Sequence, residues 1–166
     1  MNKKLYILAA LILIALALMG VFYYRQYQQN KTVPTIKTSS LSHENFISQM
    51  GNATYQVERK AVLLRKGRNA DDTILLNADL LSVGDLVGDN SASAVTILNN
   101  TVSGNSYLVA MVQQGQNSKA YRILQSVPLG TGEITAITIT ANTVVVKTKD
   151  GIKTFAYTGT QLKEKQ

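Results

Sequence analysis

The stretch Thr143–Tyr157, "TVVVKTKDGIKTFAY", alternates apolar and polar side chains on either side of Asp150-Gly151. That period of two belongs to half-buried strands, and Asp-Gly favours a two-residue turn whose central residues take positive φ. A hairpin is therefore predicted in which Lys149 faces Ile152. Its register puts Val146 opposite Phe155 and Val144 opposite Tyr157 on one face. The other face pairs Val145 with Ala156 and Lys147 with Thr154. One face buries and the other is wetter, as in most antiparallel sheets.

The same period, punctuated by glycine and asparagine, extends back to Asn52. Strands are predicted over Thr54–Glu58, Ala61–Arg65, Thr73–Leu76, Leu80–Val87, Ala94–Leu98, Tyr107–Gln113, Ala120–Gln125, Ile134–Thr140, Thr143–Lys149 and Ile152–Tyr157. Short strands bounded by turn-formers predict an all-β domain, an antiparallel sandwich or bent meander, over residues 52–162 with a tail at 163–166. No repeat at a period of roughly 20–50 residues argues for a propeller or solenoid.

Ahead of this domain the composition changes. Met1-Asn-Lys-Lys4 precedes "LYILAALILIALALMGVFYY", Leu5–Tyr24, which holds no charge and no proline. As a helix it is about 30 Å long, the thickness of a bilayer's hydrocarbon core. Tyr6, Phe22, Tyr23 and Tyr24 suit the two interfacial belts. Lys3, Lys4 and the amino terminus, set against Arg25 and Lys31, favour residues 1–4 inside and the remainder outside. The expectation is a signal anchor at 5–24: a single pass through the cytoplasmic membrane, with the lipid bilayer as its first partner. The alternative is secretion after cleavage near Ala17, where Ala15-Leu16-Ala17 has the small-x-small spacing but the apolar run continues beyond it.

Residues 25–51 read as a stalk, polar through Gln26–Ser42 and containing Pro34. A short helix is expected at 43–50, capped by Ser42, with Glu44 in its first turn and Gly51 as its left-handed end. Phe46, Ile47 and Met50 share a face able to dock it on the domain. The net charge of +7 divides unevenly. Residues 1–51 hold five basic side chains against Glu44 alone, a net +4, while 52–166 hold twelve against nine acidic, a net +3. Most of the excess thus flanks the apolar run, where anionic headgroups favour cations. No nucleic-acid partner is expected, because aromatic residues are not interleaved with the cations.

Between two predicted strands lies "GDLVGDNSASAV", Gly84–Val95. Read as a calcium loop, its alternate positions are Asp85, Val87, Asp89, Ser91 and Ser93. Calcium takes six to eight oxygens and gains most from carboxylates. Val87 offers no side-chain oxygen, the serines offer neutral hydroxyls, and Thr96 stands where a bidentate glutamate belongs. Asp85, Asp89, Ser91 and Ser93 are therefore weak candidates. The competing reading has the two aspartates accepting backbone amides within a tight turn.

"GDLVGDNSASAVTIL" resembles the GDLNGDGxxDxxxxL pattern of FG-GAP and VCBS-type β modules. The chain is also similar to small bacterial proteins that combine one amino-terminal span, a polar stalk and one exported β domain. "NATYQV" at Asn52–Val57, "KAVLLRKG", "SGNSYLVAMV" at Ser103–Val112 and "GEITAITIT" carry that similarity. The resemblance implies an exported β domain and, through the FG-GAP comparison, a calcium role. Val87, Asn90 and Ser93 depart from the GDLNGDG pattern, and Thr131-Gly132 stands after Leu129-Gly130 where the small bacterial proteins have Asp-Arg; these departures weaken that role.

Little other chemistry is available. The chain has no cysteine, which excludes Cys-His machinery, cysteine-built zinc sites, disulfides and an acylated anchor, and its one histidine, His43, lies beside the stalk, which argues against Ser-His-Asp machinery and histidine-built zinc sites. Asp71-Asp72 falls in the connection "GRNADDT" and reads as solvated turn carboxylates. Gly130-Thr131-Gly132 lacks the tail of a phosphate loop. The distinct charge feature is "ERKAVLLRKGR", in which Arg59, Lys60, Arg65, Lys66 and Arg68 flank an apolar centre. Two readings apply: contact with anionic headgroups or polymers, or protection of a strand edge from pairing.

The expectation is a membrane-anchored, extracytoplasmic, non-catalytic β domain without a cofactor, binding another envelope protein or an anionic polymer. Its rivals are a calcium-dependent adhesion module using the loop at 85–93, and a hydrolase built on Asp or Ser-Lys residues. The hydrolase requires a concave pocket at Asp71, Asp72 or Asp85.

Overall fold

The computed structural model describes residues 40–115, 118 and 120–165. The expected residues 1–4, span at 5–24, cleavage near Ala17 and stalk up to residue 39 lie outside them. Among the described residues no helix is long and apolar enough to cross a membrane. Among the described residues the fold is all-β and antiparallel, with one helix. Helix α1 (Ser40–Met50) is followed by β1 (Thr54–Val57), β2 (Lys60–Leu63), β3 (Ile74–Gly84), β4 (Ser93–Asn100), β5 (Ser106–Gln113) and β6 (Tyr121–Ile123). Then come β7 (Val127–Gly130), β8 (Ile134–Thr140), β9 (Thr143–Thr148), β10 (Gly151–Tyr157) and β11 (Leu162–Glu164).

Three sheets result among the described residues. One sheet runs β3-β4-β5, with β6 and β7 in succession along the far edge of β5; a second runs β11-β10-β9-β8; β1 and β2 form a separate hairpin. The middle strands explain the layering. The apolar run Tyr107–Val112 of β5, and Ala94, Val95, Ile97 and Leu98 of β4 on its two sides, let each strand bury both faces. Val95, Ile97, Leu108, Ala110 and Val112 meet Val144, Val146 and Phe155 of the second sheet in one core. Ala94, Leu98, Tyr107, Val109 and Met111 face the opposite way, into a second core with Phe46, Met50, Tyr55, Val57 and Leu64. Each such large apolar side chain, removed from water, contributes about 1.5–3 kcal/mol. The sheets are also tied at both margins. Ile139 N donates to Ser82 Oγ at 3.2 Å, and Arg122 Nη2 donates to Tyr157 Oη and to Gly159 O at 2.8 Å each.

The predicted hairpin is present with its register moved by two. Thr148 pairs Gly151, Val146 pairs Lys153 and Val144 pairs Phe155, so Lys149 and Asp150 are the turn's centre and Gly151 opens β10. A shift of two keeps every side chain on its face, and Val144, Val146 and Phe155 are fully buried as the pattern requires. Lys149 N donates to Glu133 O at 3.0 Å, which fixes this end against the start of β8. The strands expected at Thr73–Leu76 and Leu80–Val87 form one strand, β3, with a bulge between Asn77 and Ser82. Thr96 Oγ1 donates to the Asn77 carbonyl there. Ser42 lies inside α1 and does not cap it, and Glu44 falls beyond its first turn. Gly51 does not take positive φ. A Cβ on it would lie 3.0 Å from Ile47 O and 3.1 Å from Gly67 N, so close backbone approach explains the glycine. The helix and the sheets belong to one unit, Thr38–Gln166, and Phe46 and Met50 are part of its core. Strand β7 and the short β11, where a tail was expected, complete the sheets.

Candidate functional site

Val57 pairs Lys60, which leaves Glu58 and Arg59 as the centre of the β1–β2 turn, at φ 50° and 65°. Positive φ at both centres suits the right-handed twist of a two-residue hairpin, but the usual occupants are Asn and Gly. A side chain with a Cβ pays about 1–2 kcal/mol there. What this turn positions is visible at once. The Tyr107 hydroxyl, from the central strand β5, donates to Glu58 Oε1. Burial, then the hydrogen bond to Glu58 and its charge, push the Tyr107 hydroxyl above its ordinary pKa.

The turn stands at the mouth of a cleft of about 540 Å³ between β1 and the break separating β6 from β7. One wall is Thr54 and Gln56, the outward face of β1. The other is Ile123–Ser126 with Pro128, where the ladder on β5 lapses. Ser126 Oγ donates to the Gln56 carbonyl and spans the two walls. Neutral hydrogen-bonding side chains and the apolar Ile123, Leu124 and Pro128 thus line a groove that Arg59 and the hydrogen-bonded Glu58 overhang. Arg59 is exposed and has no anionic partner among the described residues.

The five flanking cations are all exposed and do not form one patch. Arg59 and Lys60 stand at one end of the hairpin, whereas Arg65, Lys66 and Arg68 lie at the other, about 17 Å along an extended chain. Lys66 (φ 54°) and Gly67 occupy a second tight turn closed by Arg65 N donating to Arg68 O at 2.8 Å. Arg68 also meets Asp72 at 3.6 Å in an exposed pair of little energetic weight. A shallow depression of about 450 Å³ at this end is lined by Leu63, Arg65, Arg68, Asn69, Ala70 and Asp72.

In the loop at 84–95 the carboxylates are turned inward on their own backbone. Asp85 Oδ1 accepts Gly88 N at 2.7 Å and Oδ2 accepts Asn90 N at 2.8 Å. Asp89 Oδ1 accepts Ser91 N at 2.8 Å. The Ser91 hydroxyl and then its amide hold the Asp89 carboxyl below its ordinary pKa. Asn90 takes φ 63°, as the pattern's glycine would. Gly88, at φ 85°, backs onto the β8–β9 turn: a Cβ would fall 2.7 Å from Asn142 Oδ1. Ser91 and Ser93 are wholly buried; the Ser91 hydroxyl lies against the Asp89 carboxylate, and the Ser93 hydroxyl has no hydrogen-bond partner among the described residues. Among those residues no three His, Cys, Asp or Glu side chains come together as a metal site. Of the carboxylates a hydrolase would need, Asp71 and Asp72 are exposed on a turn and Asp85 holds its own loop.

Sequence reasoning missed the Glu58–Tyr107 pair, because "VERK" carries neither asparagine nor glycine and the two residues stand 49 positions apart. No family model, no curated protein and no solved structure matches this chain.

Proposed function

We propose that the protein is a membrane-tethered, non-catalytic binding domain, held outside the cytoplasmic membrane by the apolar segment at 5–24. The ligand is another envelope protein or a surface polymer. The observation that carries this reading is the strained Glu58–Arg59 turn over the cleft beside Tyr107. Backbone strain persists only where its surroundings enforce it, and it concentrates at ligand clamps and other functional sites. Here the enforcement is the Tyr107–Glu58 hydrogen bond, and its effect is to hold Arg59, without an anionic partner among the described residues, beside a groove of mixed apolar and hydrogen-bonding lining. The tether rests on the uncharged length of Leu5–Tyr24 and the cations ahead of it.

In-cell photo-crosslinking from a probe at Gln125, on the wall of the cleft, tests the reading. Capture of an envelope protein or polymer, weakened by Arg59→Ala, is the expected result. Partners drawn only from the cytoplasm would overturn the orientation, and capture indifferent to Arg59 would overturn the site.

A further inference from the structure

The outer edge of β2 is open. Leu64 N donates to Ala53 O at 2.9 Å, so Lys60, Val62 and Leu64 direct their backbone groups at β1. By alternation the N–H and C=O groups of Ala61 and Leu63 point away, and among the described residues nothing pairs with them. The side chains of Ala61 and Leu63 are exposed as well, Leu63 by 50%. This is an accessible edge with an apolar centre, and it carries positive charge at both ends.

From this arrangement we infer that β2 accepts an added antiparallel strand from an acidic, extended protein segment. Main-chain bonds to Ala61 and Leu63 would hold it, with apolar side chains over those two residues. Its acidic residues would meet Arg59 and Lys60 at one end and Arg65 and Arg68 at the other, where Leu63 leads into the basic depression. Charge decides the occupant. An antiparallel second copy that paired Ala61 with Leu63 would set Arg59 opposite Arg65 twice over, so the cations that block self-pairing also select an acidic guest. A membrane or a polyanion fits less well, because the cations are separated by a strand's length and neither surface uses unpaired amides or Leu63. The inference does not depend on the tether or on the cleft beside Tyr107.

The test uses the full chain in neutral detergent micelles and a fluorescent peptide, Glu-Asp-Thr-Val-Thr-Val-Asp-Glu, blocked at both ends. Saturable binding that weakens with salt is expected. Two N-methylated versions, one for each alternate set of central amides, should separate: one loses binding at least about tenfold and the other keeps it, since a strand pairs through one edge only. The Lys60→Glu/Arg65→Glu variant should lose binding by about tenfold or more with its melting temperature retained. Absence of binding at millimolar peptide would overturn the inference. Equal loss or equal retention for both methylated peptides would do the same. So would full displacement by polyphosphate or by phosphatidylglycerol in the micelle with no such methylation pattern, which would identify a polyanion or lipid surface. None of these results bears on the cleft, which the Gln125 crosslink tests alone.

Discussion

Replacing Arg59 by glycine and Glu58 by asparagine should move stability in opposite directions. Arg59 holds φ 65° without an ionic partner among the described residues. Its left-handed backbone costs about 1–2 kcal/mol, and the glycine that removes this cost gives back about 0.5–1 kcal/mol of chain entropy. Arg59→Gly is therefore expected to stabilise by about 0.5–1 kcal/mol. Glu58 sits in the same region at φ 50°, but its carboxylate accepts the Tyr107 hydroxyl. A hydrogen bond to a charged acceptor contributes about 1.5–3 kcal/mol, and Tyr107 is only 3% exposed, so its hydroxyl has little water to turn to. Asparagine eases the backbone but shortens the side chain, for a net loss of about 1–2 kcal/mol. Guanidinium unfolding of the full chain in micelles, followed by tyrosine circular dichroism, resolves differences of this size. Destabilisation by Arg59→Gly, or stabilisation by Glu58→Asn, would refute the argument that this turn is strained and that Glu58 holds it. If the proposed function is right, the stabler Arg59→Gly protein also binds its partner less well.

Two further outcomes are expected. Burial lifts the Tyr55 hydroxyl far above its ordinary pKa, and burial with Glu58 lifts that of Tyr107, so the folded state retains protons that the unfolded chain releases near pH 10. Their stabilisation is intact below about pH 10 and is lost as pH rises toward the folded-state values. Tyr55→Phe should flatten the fall by about 1.4 kcal/mol per pH unit above 10, seen in denaturation midpoints; an unchanged slope would contradict the assignment. At the loop, Asp85→Ala strands the Gly88 and Asn90 amides and should cost about 1–3 kcal/mol, with Asp85→Asn costing less. Equal effects of the two substitutions in thermal melts would contradict this account, because asparagine keeps one acceptor oxygen for these amides and alanine keeps none.

The strands whose own side chains set their burial were legible. β8 runs over Ile134–Thr140 as predicted, and Val144, Val146 and Phe155 occupy the buried face that their spacing assigns. What the sequence hides depends on partners far along the chain. Asp150-Gly151 looked like the turn's centre, but Lys149 bonds Glu133 and the register moves by two. Asp79 interrupts the apolar pattern of what is a single strand, because it falls in the bulge at 78–81, beside which Thr96 reaches the Asn77 carbonyl from 19 positions along the chain. The loop at 84–95 was legible in its chemistry, since Asp85 and Asp89 accept amides as turn carboxylates do. The candidate cleft was not legible. Glu58 and Tyr107 carry no local signal, and five cations adjacent in sequence are parted by the length of a strand.

Within both large sheets nearly every ladder joins strands that follow one another along the chain. Such pairings close short loops, and loop closure is what slows the assembly of β proteins. The hairpin at the front of the domain differs, since Glu58 and Gln56 meet partners 49 and 70 positions onward. The groove therefore takes shape only after β5 and the β6–β7 segment are in place. A polypeptide arrested before Ser126 has been made holds every cation of the hairpin and still lacks one wall of the groove.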